Sequence, residues 1–346
     1  MMIFRMLIAA AALVPLAASA TPAESALKFA GDFIVPRFKA VSDAAHVQDG
    51  AWTTFCAGRA HGDLASLKHA YDGLADAWSD VEFMRIGPAA IEMRVERFNW
   101  WLDRTGATGK ALDAMMKAKP EDLAPEKLAA GSVAGQGLPV IERLLYPDAE
   151  ARKLKAKAGA ARCAAGAAVA HNQAIIADAI LNEWTAPDGA RAALAANTRW
   201  KFAFADATEA ASVMMTDLAA GLEGLKDFKV AMVYHDVFNA KAVHLAEASR
   251  SRRSLRDIER NLAAIRLGLN YFYKSDKPDG KAEMDAAFDD AQAKLEDLEN
   301  APAAGPARTQ AAQAALTHVA ILAQTAMTKL PDATGLTLGF NNLDGD

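Results

Sequence analysis

The sequence predicts an all-α protein, and three observations lead to that prediction. Aromatic residues make up only 7% of the chain, while alanine and leucine are abundant. That composition favours helices over sheets. Apolar residues recur every three or four positions along most of the chain, which is the period of an amphipathic helix. The short stretch "LTLGF" near the C-terminus is the only one with the alternation typical of a strand.

The length and charge of the chain limit the possible classes of protein. The chain has 346 residues, of which 52% are hydrophobic and 23% charged, so it can bury a large core. This length favours two domains. The net charge is −5, and no basic run is longer than "SRSRR" at 249–253. Nucleic acid is therefore excluded as an expected partner.

The first twenty residues read as a secretory signal peptide. Arg5 precedes an apolar stretch that ends in the small residues of "AASA". This pattern predicts cleavage after Ala20, and the apolar stretch is too short for a stable membrane span. No later apolar run has the length of a membrane helix by this interpretation. We therefore expect a mature protein without a membrane span, exported to a bacterial periplasm.

The predicted helices of the first half follow from period and capping signals. The first runs through "AESALKFAGDFIVPRFKAVSDAA", and Pro36 is expected to kink or end it. Asp63 is a plausible N-cap for the next helix. A helix restarting at 87–88 carries "AAIEMRVERFNWW", and its two tryptophans, Trp100 and Trp101, are expected in the core. Short helices follow in "KALDAMMKAK" and "PEDLAPEKLAA".

The remainder of the chain predicts a second set of helices. A glycine loop, "GSVAGQG", leads into a helix opened by Pro139, and Ala-rich helices follow from about 147 to 184. The phrase "EWTAPDGA" marks a boundary, with Asp188 capping the next long helix. Four further helical segments are separated by loops, and the tail 331–346 is not helical in pattern. We predict two antiparallel helical bundles, 21–187 and 188–346.

Two cysteines, Cys56 and Cys163, are the only ones in the chain. In an oxidising compartment they can pair, closing a loop of about 100 residues. The alternative is two separately buried thiols, because free cysteine behaves as a small hydrophobe.

The stretch "GQGLPVIERLLYPD" contains the first candidate site residue, Glu142. If Pro139 opens the helix, Glu142 lies in its first turn, where a carboxylate compensates the helix dipole. Tyr146 is one turn beyond and can donate a hydrogen bond to it. The alternative is that Glu142 is a ligand-binding or metal-binding carboxylate, presented by a loop that ends at Gly137.

A similar arrangement occurs around Glu92. Gly87 precedes Glu92 by five residues, as Gly137 precedes Glu142, and each interval contains a proline. Glu92 is therefore a second pocket candidate, with Arg94 as an orienting neighbour. The alternative is that these charges pair along one solvated helix face.

The second half offers a histidine at metal-like spacing and a basic segment. His244 and Glu247 lie at i and i+3, so one helix face can present both, as metal sites in helical bundles do. With Glu142 they are the candidate metal ligands; the alternative is a surface pair. Arg252 is a candidate for holding an anion or balancing a buried acid, and the alternative is exposed helix charge.

No common catalytic motif is present: the sequence has no H-E-x-x-H, G-x-S-x-G, Walker or dinucleotide fingerprint. Four stretches, "RFNWWLDRTGATGKAL", "SVAGQGLPVIERLLY", "SRSRRSL" and "LGFNNLDGD", instead resemble the imelysin-like family. That family is named for an insulin-cleaving metallopeptidase and includes iron-regulated envelope proteins. The resemblance implies two helical bundles, a periplasmic location and a role in iron acquisition or envelope metal handling.

The sequence departs from the family motif at one position. The motif is G-x-H-x-x-E; Gly137 and Glu142 match its ends, but Pro139 stands in place of the histidine. Proline offers no donor to a metal, so we expect a non-catalytic ligand- or metal-binding protein. A divalent metal such as iron or zinc is the candidate cofactor. The alternatives are an imelysin-type metallopeptidase and a helical scaffold for another envelope protein.

Overall fold

The structure, a computed structural model, describes residues 20–58, 60–239 and 245–339. These residues are built from helices, which confirms the all-α prediction. No β-strand occurs in this part of the chain; Trp200 and Phe204 form one isolated β-bridge. Most of the predicted signal peptide lies outside the described residues. The sequence predicts a non-helical tail at 331–346, but the last helix continues to Thr334, so the non-helical part begins four residues later. Residues 340–346 of this tail also lie outside the described part of the chain.

The described residues form a succession of α-helices joined by short π-helical and 3₁₀ turns. In chain order the α-helices are α1 (Pro22–Phe29), α2 (Val35–Ala57), α3 (Leu64–Ser79), α4 (Arg94–Phe98), α5 (Ala107–Met115), α6 (Pro125–Ala130), α7 (Leu138–Leu145), α8 (Asp148–Lys155), α9 (Ala160–Thr185), α10 (Ala190–Ala195), α11 (Ala207–Gly224), α12 (Ala231–Phe238), α13 (Ser254–Leu269), α14 (Pro278–Asn300) and α15 (Pro306–Thr334). The π-helical turns are Ala30–Ile34 and Leu225–Val230, and the 3₁₀ turns are Gly87–Met93, Pro120–Leu123, Val133–Gly135 and Lys157–Gly159.

Helix α1 begins at a capping box and continues without a break into α2. Thr21 Oγ1 accepts from the Glu24 N–H at 3.3 Å, and the Glu24 carboxylate accepts from the Thr21 N–H at 2.8 Å. Pro36 does not end this helix. It lies just after the π-helical turn Ala30–Ile34, whose wider hydrogen-bonded ring accommodates a residue that lacks an N–H.

Helices α2 and α9 pack against each other in the centre of the first half. Trp52 of α2 is fully buried, and a Cβ added at Gly166 of α9 would lie 2.2 Å from its ring. Close helix approach therefore depends on the absence of a side chain at Gly166. Cys56 and Cys163 form a disulfide between the same two helices, with their Cα atoms 5.7 Å apart.

The segment Ala160–Ala195, which contains α9, has the length and hydropathy of a membrane-spanning helix. The sequence-based statement that no later run is this long and apolar is therefore wrong. Of the 18 consecutive residues with the highest mean hydropathy in this segment, 56% are buried inside the protein. A core helix of a water-soluble domain has the same composition, because it is apolar on all sides.

The second half packs directly on the first. Helices α14 and α15 form an antiparallel pair, α11 packs on α1, and α13 packs on α3. The buried apolar residues of both halves belong to one continuous cluster. The division into two bundles at residue 187 stays a prediction.

Two sequence-based assignments near that division are wrong. The residue preceding α10 is Gly189, which makes no side-chain cap, so Asp188 does not cap the helix. Helix α10 is also short: it ends at Ala195, and a turn bridged by Trp200 and Phe204 precedes α11. Asp206 caps α11 instead, accepting from the N–H groups of Thr208 and Glu209 at 2.8 and 2.9 Å.

Candidate functional site

The glycine loop fixes where α7 starts. Gly137 has extended backbone angles at the N-cap, and a Cβ there would lie 2.2 Å from the Phe98 carbonyl oxygen. Only glycine allows this approach between the loop and the end of α4. Pro139 follows in the first turn of α7, where its missing N–H costs no hydrogen bond.

Glu142 is buried, with 7% of its surface exposed. It lies in the second turn of α7, and the first turn holds no acid, so compensation of the helix dipole does not explain it. Its Oε1 accepts two hydrogen bonds from Ser251, one from the backbone N–H and one from Oγ, each at 2.8 Å. Among the described residues, no group donates to its second oxygen, Oε2. A residue from the other half of the chain therefore holds this carboxylate in place.

Burial shifts the pKa of Glu142 and that of a neighbouring tyrosine. Burial raises the pKa of Glu142, and the two hydrogen bonds from Ser251 oppose that shift. Burial also raises the pKa of the Tyr71 hydroxyl; the charge of Glu142 adds to that shift, and Ser251 opposes it. A buried acid on α7 and a buried phenol on α3 thus both lie near Ser251, and burial favours the neutral form of each.

Glu142 lines a cavity of about 490 Å³ between α3, the start of α7, loop 99–106 and segment 245–250, here called the Glu142 cleft. Trp100 and Trp101 border it rather than filling the core, so their predicted place is wrong. The Trp101 indole N–H donates to the Leu245 carbonyl at 3.0 Å, which ties the loop to that segment. Ionisable and amide side chains in the lining include Tyr71, Asn99, Asp103, Glu247 and Asp257.

An arginine at the start of α13 fastens the turn that carries Ser251. Arg253 is buried and pairs with Asp257 at 2.9 Å, with Asp72 at 3.1 Å and with Asp76. Burial raises the pKa of Asp257 to about 7, and the Arg253 charge opposes that shift. These pairs join α13 to α3 and so fix the wall of the cleft opposite Glu142.

The charge of Glu247 is already matched by protein groups. It is buried, accepts from the Asn99 side-chain amide at 2.5 Å and pairs with Lys229 at 2.6 Å. Lys229 also pairs with Glu82. Burial raises the pKa of Glu247 while Lys229 lowers it, and the net shift is upward.

The structure does not bring Glu92 and Arg94 to the cleft. The Glu92 side chain is 65% exposed and lies 3.7 Å from Arg94. Arg94 is buried, but it donates to Glu183 at 2.7 Å and to the Pro88 carbonyl at 3.0 Å. Arg94 therefore holds the segment before α4 against α9 and does not orient Glu142.

Tyr146 and Arg252 lie near the cleft but are not part of its described lining. The Tyr146 ring packs on Tyr71 with centroids 5.8 Å apart, and burial raises its pKa to about 12. Arg252 is exposed and has a positive φ of 63°, so it contributes to the shape of the turn. The neighbouring Arg250 borders the cleft, and its positive charge opposes the rise in the pKa of Glu142 that burial causes.

The predicted metal ligands do not come together among the described residues. Glu142 and Glu247 both line the cleft, but no group of three His, Cys, Asp or Glu side chains could hold a metal ion in this part of the chain. His244 lies outside the described residues. The residues that the structure describes thus do not fit a directly coordinated metal ion, and the three-ligand set stays a prediction.

Sequence analysis did not identify Ser251, Tyr71 or Asp257 as parts of the site. Ser251 lies in the basic stretch that was noted for its arginines, and a serine among arginines has no special pattern. Asp257 carries a usable signal, since it follows Arg253 at i+4 on a predicted helix. Tyr71 is indistinguishable in sequence from the core residues around it.

Fold and cleft together define an all-α protein whose buried carboxylate is enclosed by residues from both halves of the chain. The family model for imelysin, a peptidase family, matches residues 34–329, and the chain belongs to this family. The resemblance found in the sequence is thereby confirmed.

Two solved structures are similar to this chain. An imelysin-like protein from Psychrobacter arcticum 273-4 shares 19% identity, with a TM-score of 0.72 over 94% of this chain and 100% of that one. A "putative iron-regulated protein A precursor" from Parabacteroides distasonis ATCC 8503 shares 16% identity, with a TM-score of 0.70 over 92% and 97%. At these identities the likeness shows the fold alone. Among curated proteins, none matches the sequence significantly.

Proposed function

We propose that this imelysin family member is an exported, non-catalytic binding protein that serves iron acquisition or envelope metal handling. Its ligand binds in the Glu142 cleft. The observation that carries the proposal is the buried Glu142 carboxylate, held on one oxygen by Ser251 while its other oxygen has no described donor. A buried acid of this kind is typical of a binding site, because burial without a full set of partners costs stability.

The chemistry of the cleft indicates the type of ligand. Glu142 Oε2 suits a positive charge or a hydrogen-bond donor, and the tryptophans of loop 99–106 offer apolar surface. The described residues do not form a three-ligand metal set. A metal would therefore enter this cleft as a chelate whose own groups contact Glu142. The link to iron rests on the iron-regulated protein among the similar structures.

Two observations support export. Cys56 and Cys163 form a disulfide, and such bonds persist in oxidising compartments. Helix α1 begins at Pro22, just after the predicted cleavage site at Ala20. Mass spectrometry of the protein recovered from a periplasmic extract tests this part. The expected mature N-terminus is Thr21, and recovery of the intact chain from the cytoplasm would contradict it.

The binding experiment compares two glutamate variants. Purified mature protein is titrated with zinc sulfate, ferrous sulfate and ferrioxamine B, an iron chelate that carries a free ammonium group, by calorimetry, and its bound metals are measured by elemental analysis. We expect binding of ferrioxamine B to be lost in Glu142→Gln. Binding should be unchanged in Glu92→Gln, which removes the same charge at an exposed position. Unchanged binding in Glu142→Gln would remove this residue from the proposed site.

The metallopeptidase alternative is tested separately. Pro139 in place of a motif histidine supports a non-catalytic protein, since the helix lacks that donor. Incubation with a denatured protein substrate, with and without a chelator, checks for cleavage. Chelator-sensitive cleavage that disappears in Glu142→Gln would establish the peptidase and overturn the non-catalytic proposal.

A further inference from the structure

A second, larger cavity lies beside the Glu142 cleft. Its volume is about 790 Å³, and it is bordered by α3, α4, α11 and the π-helical turn Leu225–Val230. The residues that line both this cavity and the Glu142 cleft form the wall between the two spaces; they are Trp78, Asn99, Trp101, Leu102 and Glu247. Cavities of roughly 300–1,000 Å³ accept ligands of the size of a small organic molecule.

Four aromatic side chains belong to the described lining of this cavity. Trp78, Phe83, Trp101 and Phe228 line it. Aromatic faces bind apolar bodies, and they also attract cations through the negative charge of the π-system. The buried indole N–H of Trp78 has no acceptor among the described residues.

Acidic side chains outnumber basic ones in the described lining of the same cavity. The basic side chains, Arg85 and Lys229, are already engaged. Arg85 pairs with Glu96 at 2.6 Å, and Lys229 pairs with both Glu82 and Glu247. The acids of the lining are Glu82, Glu96, Glu209, Asp217 and Glu247. The cavity therefore has an excess of negative charge, which favours a positively charged ligand.

Asp217 is the partly buried acid of this lining that forms no ion pair among the described residues. Its Oδ2 accepts from the backbone N–H groups of Arg85 and Ile86, each at 2.7 Å. Among the described residues no Lys, Arg or His side chain forms an ion pair with it. Burial raises the pKa of Asp217 to about 7, and the two N–H groups and the more distant charge of Arg85 oppose this shift. A bound ammonium would stabilise the ionised form, as an opposite charge does for any buried acid.

We propose that this cavity is a second binding site, for an organic cation with an apolar body. The ammonium group pairs with Asp217, and the body packs against Trp101 and Phe228. Such a ligand matches both the charge and the aromatic surface, whereas a bare metal ion would leave the aromatic surface without a partner. The site is separate from the Glu142 cleft, and it does not depend on the function proposed for that cleft.

Three fluorescent probes with one shared aromatic body test the charge preference. Dansylcadaverine carries a primary amine, its N-acetyl derivative is neutral, and dansyl-6-aminohexanoic acid carries a carboxylate. Binding is followed by the change in dansyl emission on titration with the full mature chain. We expect dansylcadaverine to bind at least about tenfold more tightly than the neutral probe, as expected for a partly buried charge pair. The acid should bind most weakly. Equal affinity for all three would overturn the proposal.

Variants locate the binding site. Asp217→Asn keeps acceptors for the two backbone N–H groups but removes the charge, and we expect dansylcadaverine affinity to fall at least about tenfold. Asp227→Asn removes one charge from an exposed position on the adjoining π-helical turn and is the matched control. Phe228→Leu should weaken the cationic and neutral probes alike, because it removes aromatic surface.

The following outcomes test whether the two cavities are separate binding sites. Glu142→Gln should leave dansylcadaverine binding unchanged; its loss in that variant would place the probe in the Glu142 cleft and overturn a separate site. Unchanged binding in Asp217→Asn would also overturn it. If thermal unfolding shows that Asp217→Asn does not fold, Glu209→Gln, at an exposed position in the same lining, takes its place with a smaller expected loss. Affinity unchanged by that substitution counts against the proposal.

Discussion

Two loop-to-helix segments of this chain have the same pattern and different outcomes. In each, a glycine precedes a glutamate by five residues and a proline lies between them. Both glycines are required: a Cβ at Gly137 would lie 2.2 Å from a carbonyl oxygen, and Gly87 has a φ of 69° with Trp184 3.0 Å from its added Cβ. Yet Glu142 is buried at a cavity, whereas Glu92 is exposed.

The difference shows that the local sequence pattern determines the turn. It does not determine whether the glutamate that follows is buried or exposed. Glu142 is buried because Ser251, 109 positions later, covers it and donates two hydrogen bonds. The segment near Glu92 has Arg94 turned inward to Glu183 instead, and the glutamate has a positive φ of 56°. Distant residues of the chain therefore decide which of the two acids is buried at a cavity.

The largest expected effects are those of the two glycines. Gly137→Ala should lower the free energy of unfolding by about 3 kcal/mol or more, because backbone opposes the new methyl group. Gly87→Ala should cost about 1 to 2 kcal/mol, the strain of a positive φ, since the Trp184 ring can shift slightly. Urea denaturation of both variants measures the difference. Equal losses would show that the two turns are equally constrained and would contradict this comparison.

Arg94→Met tests the inward arginine of the exposed segment. The variant loses the bonds to Glu183 and to the Pro88 carbonyl but keeps an aliphatic chain. We expect a loss of about 2 kcal/mol, less than the roughly 3 to 5 kcal/mol for a fully buried pair, because Glu183 is partly exposed and Lys201 still neutralises it. Thermal and urea unfolding measure the loss. Ligand binding at the Glu142 cleft should not change, and a parallel loss of binding would show that Arg94 does orient Glu142.

Ser251→Ala tests the residue that covers Glu142. The variant keeps the backbone N–H but loses the Oγ hydrogen bond, which should cost about 1 to 2 kcal/mol. Ser249→Ala is the matched control, since Ser249 lines the cleft without a described hydrogen bond to Glu142. Equal stability of the two variants in urea would mean that the Oγ bond contributes nothing.

The smallest effects come from the two glutamates, compared across pH. Burial raises the pKa of Glu142 in the folded protein above the unfolded value of 4.5. The contribution of this group to wild-type stability is therefore full below the unfolded pKa and is lost as the pH rises through the folded pKa. Glutamine does not titrate, so Glu142→Gln should gain stability relative to wild type between about pH 5 and about pH 8. Glu92→Gln should remain within about 0.5 kcal/mol of wild type at neutral pH, as for exposed pairs. Urea unfolding at both pH values measures this; a Glu142→Gln difference that is constant with pH would contradict the burial of its charge.

The sequence predicted the elements better than the site. The all-α class follows from the period of the apolar residues, and the Asp63 cap follows from the capping preference of aspartate. The glycine before α7 follows from the backbone freedom of that residue. The assignment at Asp188 is wrong because Gly189, one residue later, takes the N-cap position. The helix does not end at Pro36, because the adjacent π-helical turn accommodates the proline, and the period of apolar residues does not predict such a turn. The role of Arg94 has a different explanation: its partner on α9 is far away in sequence, and spacing alone cannot identify it.

The hydrogen bonds between Glu142 and Ser251 also constrain what can be removed from this protein. A truncated chain that ends before residue 251 would keep the Glu142 carboxylate but lose Ser251 and its hydrogen bonds. That carboxylate would then be exposed to water. The recognition proposed for the cleft therefore requires both halves of the chain, and recombination of either half with an unrelated partner would not transfer it.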